Sequence, residues 1–171
     1  YRGKYRIETT RYRWRDYRSR GFYFVTICAH NKRHIFGEIR NNEVLLSSIG
    51  RIADSELRAL DSHYSNVSVD SHIVMPNHVH AIIRIEGDHQ YSTHPKGLHS
   101  LHGISPAAGS LAAIVRSYKA GVTRRCVALG SQREIWQARY YERIVRGDSN
   151  ISAVREYILN NPVDWAQDPD M

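Results

Sequence analysis

The stretch Val74-Met75-Pro76-Asn77-His78-Val79-His80-Ala81-Ile82-Ile83 sets two histidines two residues apart in an apolar, β-branched run. Such a run reads as a strand, and successive strand side chains point to opposite faces. His78 and His80 therefore share a face, about 6–7 Å apart along the strand. Two neutral imidazoles on a rigid strand make half of a metal site. They suit Mn²⁺, Zn²⁺ or Fe and leave coordination positions open for a substrate. Pro76 marks a turn or strand entrance and places the pair near the end of the sheet. Val79, Ala81 and Ile83 form the opposite, buriable face. Ile82 continues the histidine face into apolar surroundings, so the imidazoles are expected partly desolvated beneath a packed helix.

The neighbouring segments build a domain around this strand. Phe22 to Cys28 has strong β character and reads as the first core strand. Ile35–Ile39 and Glu43–Leu46 flank Asn41-Asn42, a hairpin turn. Ser47 or Ser48 caps a helix carrying Ile49, Ile52, Ala53, Leu57 and Leu60 near a 3.6 period. Val67–Val74 precedes the histidine strand. Ser110 caps a second helix with Leu111, Ile114, Val115, Tyr118 and Val122 on one side. Ile135–Val145 is read as extended, and a last helix from Asp148 or Ser149 carries Ile151, Val154, Tyr157 and Ile158 to Asn160-Asn161-Pro162. This order predicts an α+β fold, an antiparallel sheet with helices packed on one face. The 171 residues suffice for one such domain, residues 21–171, behind a basic arm at 1–20. The Gly-, Ser-, His- and Pro-rich stretch 87–109 reads as a flexible loop, and its His89, His94, His99 and His102 as solvated loop residues.

The formal net charge of +7 calls for an acidic partner. Arg2, Lys4, Arg6, Arg11, Arg13, Arg15, Arg18 and Arg20 crowd the first twenty positions, interleaved with Tyr1, Tyr5, Tyr12, Trp14 and Tyr17. Arginines contact phosphates and aromatic rings stack on unpaired bases, so the arm points to nucleic acid. No run of about 18 apolar residues appears, so no membrane span or membrane partner is expected. The first residues lack the apolar core of a signal peptide. Cys28 and Cys126, far apart, suggest a reduced, cytoplasmic protein without a disulfide framework.

Tyr118 lies on the inward stripe of a strongly basic helix with Arg116, Lys119, Arg124 and Arg125. A phenol is a weak nucleophile at neutral pH, and a divalent cation with Arg116 or Lys119 nearby would activate it. Tyrosine, basic helix and histidine pair together are the equipment for cutting a phosphodiester covalently. Tyr157 reads as a core residue, and Tyr140 and Tyr141 as packing or DNA contacts.

These residues resemble a known family. Pro76-Asn77-His78-Val79-His80 looks like the histidine–hydrophobic–histidine (HUH) motif of single-tyrosine HUH transposases. The fuller pattern resembles the REP-associated tyrosine transposases of bacteria. The further matching segments are 21–28, 114–119, 135–142 and 157–163, so the likeness runs from about Arg18 to Trp165. It implies a ferredoxin-like fold, with His78 and His80 holding Mg²⁺ or Mn²⁺ on a phosphate of single-stranded DNA. It implies attack by Tyr118, a 5′-phosphotyrosine link and a free 3′-hydroxyl, with strand rejoining by reversal. The implied partners are hairpin-forming repeated palindromic elements, and a homodimer is a further candidate.

One position departs from the pattern. Related transposases often place a glutamine four residues after the tyrosine as a third metal ligand, and here Val122 stands there. Asp70, His72 and Glu134 are the substitutes the sequence offers. Two other readings stay open: a metal-dependent hydrolase that activates water, and a nucleic-acid-binding module with a decayed centre.

Overall fold

In the computed structural model, which describes residues 20–87 and 109–167, the apolar run around Phe24 forms the central strand β1 (Gly21–Cys28). Aromatic and β-branched side chains suit this position because they pack on both sides of a pleated surface. A hairpin follows, β2 (Gly37–Arg40) and β3 (Glu43–Leu46). Asn41 and Asn42 turn it with φ of 52° and 63°, the left-handed pair that a two-residue hairpin loop requires. Next come α1 (Ser48–Arg58), a short α2 (Leu60–His63), β4 (Val67–Val74) and β5 (His78–Ile85). The chain is described again through α3 (Leu111–Ala128), β6 (Tyr141–Val145) and α4 (Asp148–Asn160). Ser47 Oγ accepts from Gly50 N at 3.0 Å and Ser110 Oγ from Ala113 N at 3.3 Å, so both expected serine caps form.

The main sheet has the order β4-β5-β1-β6, antiparallel throughout. One helical crossover carries the chain from β1 to β4, and the other from β5 to β6. This is the ferredoxin-like arrangement, with β1 and β5 in the centre. The extended reading of 135–145 is realised in two pieces. Trp136 pairs alone with Ala29, and β6 begins only at Tyr141. Among the described residues, no helix is long and apolar enough to cross a membrane.

Helices α1 and α3 pack on one face of the sheet, and α4 adds a layer on the other. Val79, Ala81, Ile83 and Ile85 of β5 join Tyr23, Val25 and Ile27 of β1 in the main core with Leu57 of α1 and Ile114, Tyr118 and Val122 of α3. On the other side Phe24 and Ile82 pack with Val145 and with Ile151, Val154 and Ile158 of α4. The physical reason is visible in β5, where every residue but Arg84 is buried. A strand buried on both faces needs a layer on each side. His78 and His80 alternate with Val79 and Ala81, so they lie on the α4 side.

The hairpin is docked through Gly50 in the first turn of α1. A Cβ there would overlap the Phe36 carbonyl oxygen. That oxygen accepts from Ser47 N at 2.9 Å and cannot retreat freely. Gly50→Ala is therefore expected to destabilise by about 2–3 kcal/mol despite the better helix propensity of alanine. A lowered urea midpoint with an unchanged slope checks it.

Candidate active site

The entrance to β5 is built by a tight turn. Met75 N donates to His78 O at 2.8 Å, Ala29 N to Asn77 O at 2.7 Å, and Phe36 N to Pro76 O at 3.0 Å. This anchoring sets the two imidazoles side by side, 4.3 Å between ring centroids. Both are buried, at 0% and 1% exposure. Asn77 Oδ1 lies 2.8 Å from His78 Nδ1, and Thr26 Oγ1 lies 3.0 Å from His80 Nδ1 across the β1–β5 register. The tautomer that donates from Nδ1 in each ring leaves Nε2 as the atom with a lone pair, the arrangement that orients histidine as a ligand. Burial, followed by the neighbouring His78, pushes the His80 pKa down to about 2. His80 is thus a neutral imidazole at any ordinary pH.

This depression has a thermodynamic consequence. The unfolded chain binds a proton at His80 near pH 6.5 that the folded chain refuses until about pH 2. The unfolded state binds more protons between these values, so stability falls as pH drops below about 6.5 and is complete above it. Urea unfolding at pH 5.5 against pH 7.5 is expected to lose about 1 kcal/mol through this group. The variant His80→Gln should lose that part of the difference.

Helix α4 brings a tyrosine to the pair. The Tyr157 hydroxyl lies 3.3 Å from His80 Nε2, and its ring centroid 5.3 Å from that of His80. The ring also meets Phe24 edge-on at 6.1 Å. Tyr157 is 41% exposed, so the core role read from its helical spacing is not what it has. Its neighbours Val154 and Ile158 take the core, and the phenol stands at the margin with its hydroxyl on the histidines. Arg155 holds the helix to β4 through Asp70, at 2.6 and 2.8 Å. One turn after Tyr157, still in helical conformation, Asn161 is buried at 2% exposure.

Tyr118 is elsewhere. It is 2% exposed in the main core, on the far face of the sheet, and its hydroxyl donates to Ala53 O at 3.2 Å. Burial pushes its pKa well above the ordinary value, and the charges of Asp54, Glu56 and Cys126 add to this. Lys119 Nζ donates to Gln137 O at 2.7 Å and Arg139 O at 3.0 Å, and burial lowers its pKa to about 8. Arg125 pairs with Glu56 at 2.9 Å. Arg116 and Arg124 are exposed on α3, away from the histidine face. The structure therefore brings His78 and His80 together and leaves Tyr118 apart from them.

The substitute third ligands are likewise engaged. Asp70 is paired with Arg155, and His72 Nε2 lies 2.9 Å from Asp54 Oδ1 on α1. Glu134 lies 3.8 Å from His30. Among the described residues, no three His, Cys, Asp or Glu side chains converge as a metal cluster. Arg11, Arg13, Arg15 and Arg18 lie outside the described residues, as do His89, His94, His99 and His102.

No family model matches the chain. It is 37% identical over 158 residues to an uncharacterized protein of Haemophilus influenzae, covering 90% of this chain and 86% of that one. The two belong to one family. Among solved structures, a REP-associated tyrosine transposase bound to a REP hairpin superposes with a TM-score of 0.59 at 21% identity. The match covers 96% of this chain and 74% of that chain, and the fold is shared.

Proposed function

We propose that this chain, a member of one family with the Haemophilus influenzae protein and a sharer of the tyrosine transposase fold, is a transposase of the HUH type. It cuts and rejoins single-stranded, hairpin-bearing DNA with Tyr157 as nucleophile. The observation that carries this reading is the Tyr157 hydroxyl 3.3 Å from His80 Nε2, within one chain and on the face that holds both histidines.

The donor set fits a divalent cation. His78 and His80 offer two neutral nitrogens, each oriented through its Nδ1. The spacing that gives Val122 when counted from Tyr118 gives Asn161 when counted from Tyr157. Residues four apart share a helix face, and an amide oxygen is a donor that Mg²⁺ or Mn²⁺ accepts. We therefore assign Asn161 as the third ligand. Bound there, the ion would supply positive charge to the phosphoryl oxygens in the in-line transition state.

The protein's own groups supply the rest. Tyr157 Oη bonds to phosphorus, the bond to the 3′-oxygen breaks, and the strand is left with a 5′-phosphotyrosine and a 3′-hydroxyl. His80 Nε2 meets the phenol only while its lone pair is not given to a cation, and with basicity depressed to about 2 it does not take the phenol's proton. The exposed edge of Tyr157 gives that proton a path to solvent. The phosphotyrosine ester conserves the energy of the cleaved bond, so attack by a 3′-hydroxyl reverses the step and joins strands.

The test is incubation with end-labelled single-stranded hairpin DNA and Mn²⁺, followed by denaturing electrophoresis. The expected result is a DNA–protein adduct that survives SDS. Cleavage without an adduct would make the chain a water-activating hydrolase, and binding without cleavage a nucleic-acid-binding module.

A further inference from the structure

Beside the histidine pair stands an aromatic wall that the chemistry above does not use. The turn Trp165–Gln167 follows α4, brought round by Val163 N and Asp164 N donating to Asn160 O at 2.9 and 3.1 Å. It sets the Trp165 indole against the His78 ring, 6.0 Å between centroids and 25° between planes. His34 meets the same indole edge-on at 5.6 Å and 65°. Trp165 is half-buried and His34 exposed.

The segment carrying His34 is cationic and rigidly placed. His30-Asn31-Lys32-Arg33-His34 contains no acidic residue, and Lys32 and Arg33 are exposed. Asn31 and Lys32 both hold left-handed backbone, φ 53° and 51°, which for non-glycine residues persists only when the surroundings enforce it. Here they do. Ala29 N and Phe36 N, on either side, donate to Asn77 O and Pro76 O of the turn that positions His78, and Arg33 Nη2 donates to Glu134 O at 2.7 Å. One anchored turn thus carries a metal-ligand candidate and, through its partner loop, a basic edge with an aromatic wall.

We propose that Trp165, flanked by His34, is the stacking platform for one unpaired base of the DNA strand, next to the phosphate held at the histidines. This rests on the function proposed above. An indole gives any base a π-face, and the cationic loop complements the phosphates on either side of it. A base clamped there would fix the strand so that one phosphate, and not its neighbours, faces Tyr157.

The test is a coupling measurement on the full chain. In a Tyr157→Phe background, which removes turnover, affinity for a single-stranded oligonucleotide is measured with Mn²⁺ while each nucleotide in turn is made abasic. One abasic position is expected to weaken binding about tenfold, in the range that base–aromatic stacking supplies. Trp165→Ala should weaken the intact strand by a similar factor and the abasic strand no further, and Trp165→Phe should recover most of the loss. His34→Ala, at an exposed position, gives a smaller loss at the same nucleotide and serves if Trp165→Ala does not fold. Losses that multiply for Trp165→Ala and the abasic site, or no sensitive position at all, overturn the proposal. An SDS-resistant adduct from the unaltered protein alongside either of those results would leave the function standing and remove only the platform.

Discussion

Tyr157→Phe is expected to abolish the covalent DNA adduct, a loss on the order of 10³-fold or more, while Tyr118→Phe retains it. The first substitution deletes the oxygen proposed to bond to phosphorus and leaves the ring, its contact with Phe24 and the packing of α4 in place. The second deletes a hydroxyl that donates to a helix carbonyl, Ala53 O, on the other side of the sheet. Its expected effect is on stability, about 0.5–1.5 kcal/mol for one buried hydrogen bond. Adduct yield and urea unfolding measured on both variants should therefore move in opposite patterns. A Tyr118→Phe protein that folds but forms no adduct would return the nucleophile to α3.

His78→Ala and His80→Ala are each expected to reduce cleavage by about three orders of magnitude, since each removes one of the two nitrogen donors proposed to hold the cation. Binding to the same DNA should stay within a few-fold, because contacts from arginine and lysine to phosphates dominate affinity. Gel-shift affinity and adduct yield, read on the same preparations, separate the two. His80→Ala also leaves Thr26 Oγ1 and the Tyr157 hydroxyl without the ring they meet, so some loss of stability accompanies it. Equal collapse of binding and cleavage in a folded variant would deny the histidines a specific role in the reaction.

Much of the fold was legible because its signals are local. The β-branched runs of β1 and β5, the Asn41-Asn42 turn, the Ser47 and Ser110 caps and the Asn160-Asn161-Pro162 stop each act within a few residues. The shared face of His78 and His80 follows from strand periodicity alone. What periodicity does not carry is which side of a sheet a helix will cover. The inward stripes of α3 and α4 look alike in sequence, yet α3 packs on the Val79 side and α4 on the His80 side. Tyr118 drew the nucleophile assignment because basic residues surround it, but those charges sit on the solvent side of α3 or pair with Glu56 and loop carbonyls. Tyr157 was absorbed into the core because Val154 and Ile158 flank it at helical spacing. A signal did exist. Val122 cannot ligate a metal, whereas the same count from Tyr157 reaches Asn161, and the proposal of Tyr157 as nucleophile draws on that count.

One chain is proposed to carry the histidine pair and its own nucleophile on the α4 side of the sheet. Mass-spectrometric mapping of the adducted peptide tests it most directly. The unaltered protein is incubated with single-stranded hairpin DNA and Mn²⁺, digested with nuclease and protease, and searched for the tyrosine that carries the residual nucleotide phosphate. The modification is expected on Tyr157; a modification on Tyr118, or a cleaved strand with no modified tyrosine, would rule out Tyr157 as the nucleophile.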